Sequence, residues 1–159
     1  MIRKAVEKDI SRIAEILIFT KRTAYRTIFK NDEVSFGKMQ IVPLARKLFA
    51  EPQLLEGIYV FDEVFVRGLI QILPLDSNSV EVKALYIDPF FQHQGIGAEL
   101  LNFAEGQGHQ LKAQSLCLWV LEKNEAARTF YEQHGFLSTN EKTAEVGTEE
   151  FIVKYRKAL

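Results

Sequence analysis

The stretch Val80–Leu101 combines two patterns that a folded chain must accommodate side by side. Val80–Ile87 is crowded with β-branched and aliphatic residues, and Pro89 follows closely, where the missing N–H stops a strand ladder. Ile96 and Leu100 then recur at helical spacing. The sequence therefore predicts a strand, a short loop and a helix in immediate succession.

The loop between these elements, Gln92–Gly97, contains two glycines that suit a negatively charged ligand. Gly95 and Gly97 let the backbone approach a ligand closely, and a helix start leaves several backbone N–H groups unpaired. The partial positive charge of a helix N-terminus favours an anion such as phosphate, although a plain turn explains two glycines equally well. Two other phosphate motifs are excluded, because a Walker loop needs lysine where Ala98 stands and a dinucleotide fingerprint needs glycine where Leu100 stands.

Composition and charge restrict the classes of partner. The 159 residues include 20 basic and 21 acidic side chains, for a net charge of −1. This balance predicts no general attraction to nucleic acid or to a membrane. The charged start, MIRKAVEKDI, lacks the apolar core of a signal peptide, and no apolar run approaches the ~20 residues of a bilayer-spanning helix. We therefore expect one domain, residues 1–159, in a reducing cytoplasm.

The single cysteine and the three histidines predict no metal site. Cys117 alone provides neither a disulfide framework nor a cysteine-based metal site, and its apolar surroundings are typical of a core strand. No histidine has a partner at metal-ligand spacing. His134, near the end of a predicted helix, fits a favourable contact with the helix dipole.

The remaining periodicities predict an α/β (α+β) domain, with helices covering a mixed central sheet of about six or seven strands. Apolar residues of Glu7–Phe19 share one helical face, and the pattern continues through Phe29 as a second or kinked helix. From Gly57 the period changes to two, and a hairpin turn is expected at Asp62-Glu63. Further strands are expected at Ile2–Ala5, Ser115–Leu121, Phe136–Ser138 and Glu150–Tyr155.

A second motif downstream gives the glycine loop a specific context. Gln92-x-x-Gly95-x-Gly97 is followed by Asn124-x-x-Ala127-x-x-Phe130-Tyr131 and then by Gly135-Phe136. Together these motifs resemble the GNAT superfamily of N-acetyltransferases. The resemblance implies a fourth strand that bulges and splays from its neighbour near its end. It also implies direct transfer of acetyl from acetyl-CoA, in a ternary complex, to a primary amine of a small molecule, polyamine or peptide.

The resemblance implies acetyl-CoA as the co-substrate, with no metal. Backbone N–H groups of the loop would hold the pyrophosphate, and a main-chain N–H nearest Ile87 would polarise the thioester carbonyl. Asn124 matches an asparagine that contacts CoA, and a role as helix N-cap alone is the alternative. Positions 92 and 94 are commonly basic in the family but are neutral here, so His93, Lys123 or Arg128 would supplement the backbone. The implied cofactor-binding residues are Leu85, Tyr86, Ile87, Gln92, His93, Gln94, Gly95, Ile96, Gly97, Ala98, Asn124, Arg128 and Tyr131.

Tyr131 is the first catalytic candidate. It matches the family's tyrosine that protonates the departing thiolate of CoA. With ordinary pKa values of ~10 for tyrosine and ~8.5 for a thiol, this transfer is uphill by about 2 kcal/mol. A strong hydrogen bond or a lowered pKa is therefore required. Simple packing beside Ala127 and Phe130 on one helix face is the alternative role.

Glu81 is the second catalytic candidate. It stands eleven residues before Gln92, where some family members carry a general-base glutamate. A solvent-facing pair with Lys83 is the alternative. Period-two alternation places Glu81 on the same strand face as Lys83, Leu85 and Ile87 unless a bulge intervenes.

Acceptor specificity is expected from the N-terminal helices and the hairpin, as in the family. Tyr25 and Phe29 are the substrate-binding candidates, followed by Phe36 and Met39, and core packing is the alternative for each. A second reading of the whole chain is a GNAT-fold module that binds CoA for sensing or scaffolding. A homodimer is an open option, because family members often dimerise.

Overall fold

A computed structural model describes residues 1–159, which form one mixed sheet with helices on both faces. The sheet order is β1-β2-β3-β4-β5-β7-β6, and every neighbouring pair is antiparallel except β4 and β5. The strands are β1 (Ile2–Lys4), β2 (Ile58–Glu63), β3 (Phe65–Pro74), β4 (Ser79–Ile87), β5 (Ser115–Leu121), β6 (Leu137–Ala144) and β7 (Phe151–Ala158). The helices are α1 (Ile10–Phe29), α2 (Ile41–Ala50), α3 (Ile96–Gln110) and α4 (Glu125–Gln133), with short helical turns at Glu7–Asp9, Glu33–Lys38, Pro52–Leu55 and Pro89–Phe91. The predicted mixed sheet of six or seven strands flanked by helices is confirmed.

The N-terminal helical pattern forms one continuous helix. α1 spans 20 residues and ends where Lys30 adopts a left-handed φ of 49°. The pattern after Phe19 continues α1 and does not form the predicted second helix, because no Pro or Gly interrupts the chain between Ile10 and Phe29. The C-terminal half of α1 therefore extends beyond the part that is buried against the sheet.

Two apolar layers hold the sheet between the helices. One face packs against α3 through 14 buried residues, including Leu100, Leu116 and Phe136. The other face packs against α1 and α2 through nine buried residues, including Ile13 and Leu69. Burial of each large aliphatic or aromatic side chain contributes roughly 1.5–3 kcal/mol. Both faces are thus covered.

The β2–β3 hairpin turns later than the sequence predicts. Asp62 and Glu63 remain in β2, Glu63 pairs with Phe65, and Val64 forms the tip with a φ of 67°. A bulge shifts the register between Phe61 and Asp62. The predicted turn at Asp62-Glu63 is wrong because a bulge adds a residue to one strand, which simple alternation does not reveal.

β4 and β5 are paired only at one end. Ser79–Glu81 pairs with Ser115–Cys117, and the two strands share no paired residues beyond this point. Beyond Glu81, β4 continues to Ile87 and is paired with β3 alone. This divergence is the predicted splay, and it leaves one edge of β4 open along its second half.

A bulge in β4 rearranges the two faces of the strand. The ladder with β3 pairs the residues before and after Lys83 but leaves Lys83 itself as the extra residue. Before the bulge, Val82 packs toward α3, and after it Leu85 does. Glu81 therefore shares the α1 face with Tyr86, which packs on the α1 layer. Glu81 was expected beside Lys83, Leu85 and Ile87 only in a strand without a bulge. The bulge changes the alternation, so Glu81 lies on the face opposite Leu85 and Ile87.

Candidate active site

A cleft of about 940 Å³ occupies the gap between β4 and β5. Its walls come from the second half of β4, the start of α3, α4, the end of β5 and the C-terminal half of α1. Most of the lining side chains are hydrophobic. Its size and composition are those of a small-molecule or cofactor site.

The cleft brings together most of the residues singled out from the sequence. The catalytic candidates Tyr131 and Glu81 line it from α4 and β4, and the substrate candidates Tyr25 and Phe29 line it from α1. The cofactor candidates on its walls are Leu85, Tyr86, Ile87, Gln92, His93, Gly95, Ile96, Gly97, Ala98 and Asn124.

Two of the proposed cofactor residues, Gln94 and Arg128, do not line the cleft. Gln94 is exposed on the loop. The Arg128 guanidinium donates from Nε to Tyr155 Oη at 3.0 Å and from Nη1 to the Glu122 carbonyl oxygen at 3.0 Å. Lys123, the other supplementary cation, forms an ion pair with Glu150 at 2.9 Å. Arg128 and Lys123 are thus engaged by neighbouring structure rather than directed to the glycine loop.

Phe36 and Met39, the further acceptor candidates, also lie outside the cleft. The Phe36 ring lies beneath the guanidinium groups of Arg22 and Arg26, at 5.2 and 5.3 Å from its centroid. Arg22 also donates to the Met39 carbonyl oxygen at 2.6 Å. These contacts attach the segment after α1 to the helix, so Phe36 and Met39 were wrong as pocket residues.

The loop before α3 presents a row of backbone donors. Gly95 has a φ of 83°, a left-handed conformation that favours glycine. The N–H groups of residues 94–98 donate to no acceptor within the protein. A Cβ on Gly97 would lie 3.1 Å from Cζ of Phe130, so glycine allows α4 to pack directly against the loop. Because the helix dipole adds positive charge at the same point, the loop is suited to an anion.

Ile87, at the end of β4, turns its backbone toward the open edge. The N–H of the next residue, Asp88, donates to the Arg67 carbonyl oxygen on β3 at 2.9 Å. Successive residues of a strand direct their peptide groups to opposite edges, so those of Ile87 point away from β3. The Ile87 carbonyl oxygen accepts from Thr20 Oγ1 at 3.1 Å and from Gln92 Nε2 at 3.2 Å. Its N–H is therefore directed toward the cleft.

A partly buried ion pair fixes the turn after β4. Arg12 of α1 lies 2.5 Å from the carboxylate of Asp88 and also donates to the Val66 carbonyl oxygen at 2.9 Å. The Asp88 carboxylate accepts from the Phe90 N–H at 2.8 Å. Asp88 is 6% exposed. Loss of Arg12 would therefore leave a buried carboxylate without its cation, which would destabilise the folded protein. α1 thus positions the end of β4, a role for Arg12 that the sequence analysis missed.

Three tyrosines lie close together in the cleft. The hydroxyl oxygens of Tyr25 and Tyr86 are 3.4 Å apart, and Tyr131 interacts electrostatically with both. Burial raises the pKa of Tyr131 above its ordinary value, so its hydroxyl stays protonated at neutral pH. The protonated hydroxyl is therefore available as a donor to a departing thiolate, and of the two conditions considered from the sequence, a strong hydrogen bond fits this buried position better than a lowered pKa. The ring also packs edge-on against Phe130 and Phe136.

Asn124 is both a helix cap and a residue of the cleft. Its Oδ1 accepts from the Ala127 N–H at 3.2 Å at the start of α4. At the other end of α4, Nδ1 of His134 lies 2.8 Å from the Phe130 carbonyl oxygen, and Gly135 adopts a φ of 84°. These caps fix the helix that carries Tyr131.

Charged or aromatic residues of the cleft that the sequence analysis missed include Lys21, Trp119 and Glu145. Lys21 stands four residues before Tyr25 and therefore on the same face of α1, a spacing that is visible in the sequence. Trp119 lies in β5 beyond its divergence from β4, and Glu145 follows β6. Trp119 and Glu145 lie in the cleft because of the order of the strands in the sheet, which no local sequence pattern reveals.

The structure holds no group of three or more His, Cys, Asp or Glu side chains arranged for a metal ion. Cys117 is 3% exposed in β5, as expected for a core position. None of the helices combines the length and the apolar character required to cross a membrane.

Comparison with known proteins identifies relatives in sequence. A family model described as an acetyltransferase (GNAT) domain matches residues 55–137, just over half of the chain. An uncharacterized N-acetyltransferase of Lactobacillus delbrueckii subsp. lactis is 34% identical over 83 residues, which cover 50% of this chain and 48% of that protein. The chain thus matches about half the length of this curated relative.

Two solved structures share the fold over the whole chain. The PaiA N-acetyltransferase of Thermoplasma acidophilum, solved in complex with coenzyme A, has a TM-score of 0.77 and 23% identity, covering 100% of this chain and 98% of its own. YncA of Salmonella typhimurium, solved with its cofactor acetyl-CoA, has a TM-score of 0.71 and 21% identity, covering 100% and 93%. The family predicted from the two motifs is confirmed by the match of the family model. The chain belongs to the GNAT family of acetyltransferases.

Proposed function

We propose that the protein is an acetyl-CoA-dependent N-acetyltransferase and that residues 1–159 form one transferase domain. The acetyl group passes directly to a primary amine of a small molecule or peptide, without a covalent enzyme intermediate. One observation carries the proposal: the open edge of β4 lies beside the unpaired N–H groups at the start of α3. The presence of coenzyme A or acetyl-CoA in the PaiA and YncA structures supports it.

The cofactor is held mainly by backbone groups. The N–H groups of residues 94–98 bind the pyrophosphate, so Gln94 contributes its main chain rather than its side chain. The amides of pantetheine pair with the open edge of β4 at Leu85–Ile87, as an added strand would. The Ile87 N–H donates to the thioester carbonyl oxygen, and loss of such a donor typically reduces rates by ~10²–10³.

Tyr131 acts as the proton donor to the leaving group. The amine nitrogen attacks the thioester carbonyl carbon, the C–S bond breaks, and the thiolate takes the proton of the Tyr131 hydroxyl. The raised pKa of Tyr131 makes a lasting tyrosinate unfavourable, so the proton moves as the C–S bond breaks and is replaced by one released from the amine. Cys117 is buried and takes no part.

Glu81 acts as the general base, directly or through water. It lines the cleft on the α1 face and takes part in none of the ion pairs of the protein. Deprotonation of a lysine-type amine costs roughly 4.6 kcal/mol at pH 7, whereas an α-amine costs about 1 kcal/mol. The need for Glu81 therefore grows with the basicity of the acceptor.

Calorimetry and thermal unfolding with CoA test the cofactor site. CoA at about 100 times its dissociation constant adds about 2.7 kcal/mol of stability, which raises Tm by roughly 5–10 °C for a chain of this size. An acceptor screen with acetyl-CoA, read by thiol release and mass spectrometry, then tests transfer. Binding without transfer to any amine favours the non-catalytic CoA-binding module. Absence of both heat and a Tm shift contradicts the module and the enzyme alike.

A further inference from the structure

Lys21 places a positive charge on the wall of the cleft without an anionic partner. It lies half-buried on α1, and its Nζ is 5.8 Å from the centroid of the Tyr86 ring. It takes part in none of the ten ion pairs of the protein and donates no side-chain hydrogen bond. Burial of an ammonium group without a partner is unfavourable, so this position suits an anion that arrives with a ligand.

Glu145, a carboxylate of the same cleft, does not fulfil this role. Glu145 lines the same cleft and acts on Lys21 electrostatically, but the two side chains form no ion pair. Burial lowers the pKa of Lys21, and Glu145 only partly opposes this effect. An anion bound directly to Nζ would restore the charged form more effectively.

The lysine and glutamate charges on the walls of the cleft are balanced. Lys21 and Lys83 contribute two cations, and Glu81 and Glu145 contribute two carboxylates. Such a balance suits a zwitterion better than a polyamine or an aminoglycoside, whose several positive charges would meet Lys21. The hydroxyl pair of Tyr25 and Tyr86 lies near Lys21, whose Nζ is over the Tyr86 ring, and can supply further hydrogen bonds.

We propose that the acceptor carries an anionic group close to its amine, and that Lys21 is the residue that binds this group. The inference rests on the proposed acetyltransferase function and names its substrate class: amino acids and related amino-carboxylates. The carboxylate binds Lys21 on the α1 face, and the amine faces the thioester beside Ile87. A phosphonate in place of the carboxylate would satisfy Lys21 by the same chemistry.

Matched acceptor series test this assignment. Each series contains an amino acid, its amide and its aminophosphonate analogue, and kcat/KM is measured with acetyl-CoA. A charge-assisted contact with Lys21 favours the acid over its amide by about 10- to 100-fold. Lys21→Met removes this preference and Lys21→Arg retains much of it, whereas Lys47→Met, a matched change on the exposed side of α2, leaves it intact. The aminophosphonate identifies which anion is preferred.

A preference for acids that persists unchanged in Lys21→Met overturns the assignment. A second measurement does not depend on turnover: calorimetric titration of the CoA complex with N-acetyl amino acids and their amides. Acids that bind no more tightly than their amides in every pair also overturn it. If CoA itself does not bind the unmodified protein, the proposed function fails. If CoA binds and the acids and amides are equivalent, only the role of Lys21 fails.

Discussion

The side-chain amide of Gln92 donates from Nε2 to the carbonyl oxygen of Ile87 at 3.2 Å. This bond joins the glycine loop to the end of β4, so the proposed pyrophosphate and thioester sites are held in one arrangement. A neutral side chain at this position therefore has a structural role. The carbonyl oxygen also accepts from Thr20 Oγ1, which adds α1 to the same junction.

Gln92→Ala tests this junction. Loss of a single neutral hydrogen bond corresponds to about 0.5–1.5 kcal/mol, so we expect CoA affinity to fall by about 2- to 12-fold. Titration calorimetry with CoA measures the effect. An unchanged dissociation constant would show that Thr20 and the turn at Asp88 hold the loop without Gln92.

Gly97→Ala tests the close contact between the glycine loop and α4. The new Cβ would lie 3.1 Å from the Phe130 ring, so we expect α4 or the loop to shift and CoA affinity to fall. Gly106→Ala is the matched control in the same helix, since a Cβ there meets nothing within 4 Å. We expect the control to gain up to about 1 kcal/mol of stability and to bind CoA normally. Equal CoA affinity in the two variants would contradict the role of Gly97.

Tyr131→Phe tests the proton donor. The ring and its packing remain, so CoA binding should change little, while loss of the hydroxyl should lower kcat by about 10²-fold or more. Thiol release from acetyl-CoA measures turnover. Tyr59→Phe, which removes a hydroxyl that bonds Gln107 outside the cleft, is the control. Turnover of Tyr131→Phe equal to that of the control would exclude Tyr131 from the mechanism.

Glu81→Gln tests the general base. We expect kcat/KM to fall most for acceptors with amine pKa values near 10.4, and least for α-amines near 7.8, because the latter lose a proton more easily. Rates for both acceptor types are compared across pH 6–9. An identical loss for the two types would indicate a role in binding, and no loss for either would leave water as the base.

The local parts of this fold are predictable because their causes lie within a few residues. The glycine spacing marks the loop before α3, and Asn124 caps α4 as its sequence position indicates. Gly135 adopts the left-handed conformation expected just after a helix. The same holds for Cys117, whose burial follows from an apolar run.

The parts that were missed depend on contacts between distant residues. Arg128 donates a hydrogen bond to Tyr155 on β7 and does not line the cleft. No sequence pattern around α4 reveals this partner. Glu81 changes face because of a bulge at Lys83 that alternation cannot locate. Glu145 reaches the cleft because β6 and β7 lie beyond β5 in the sheet. Strand order and register, rather than local propensity, determine these outcomes.

Acid unfolding tests the ion pair between Arg3 and Asp9. The Asp9 carboxylate accepts two hydrogen bonds from Arg3, at 2.7 and 2.9 Å. Arg3 holds the pKa of Asp9 below its ordinary value. A carboxyl with a lower pKa in the folded state stabilises the protein above the unfolded-state pKa of about 3.9, and this contribution is lost as pH falls through the folded-state value. We expect Asp9→Asn to cost about 1–3 kcal/mol at pH 7 and to flatten the loss of stability below about pH 4. Parallel stability curves for the two proteins from pH 6 to pH 2 would contradict this.

Across the middle of the sheet, β4 and β5 are joined by only three residue pairs. The rest of that boundary consists of two unpaired strand edges, which on the outside of a protein would serve as templates for aggregation. Here the two edges face each other inside the cleft, between walls contributed by α1, α3 and α4. The backbone that a narrow, amide-containing ligand would pair with is thus recessed between helices, whereas β1 and β6 form the outer edges of the sheet.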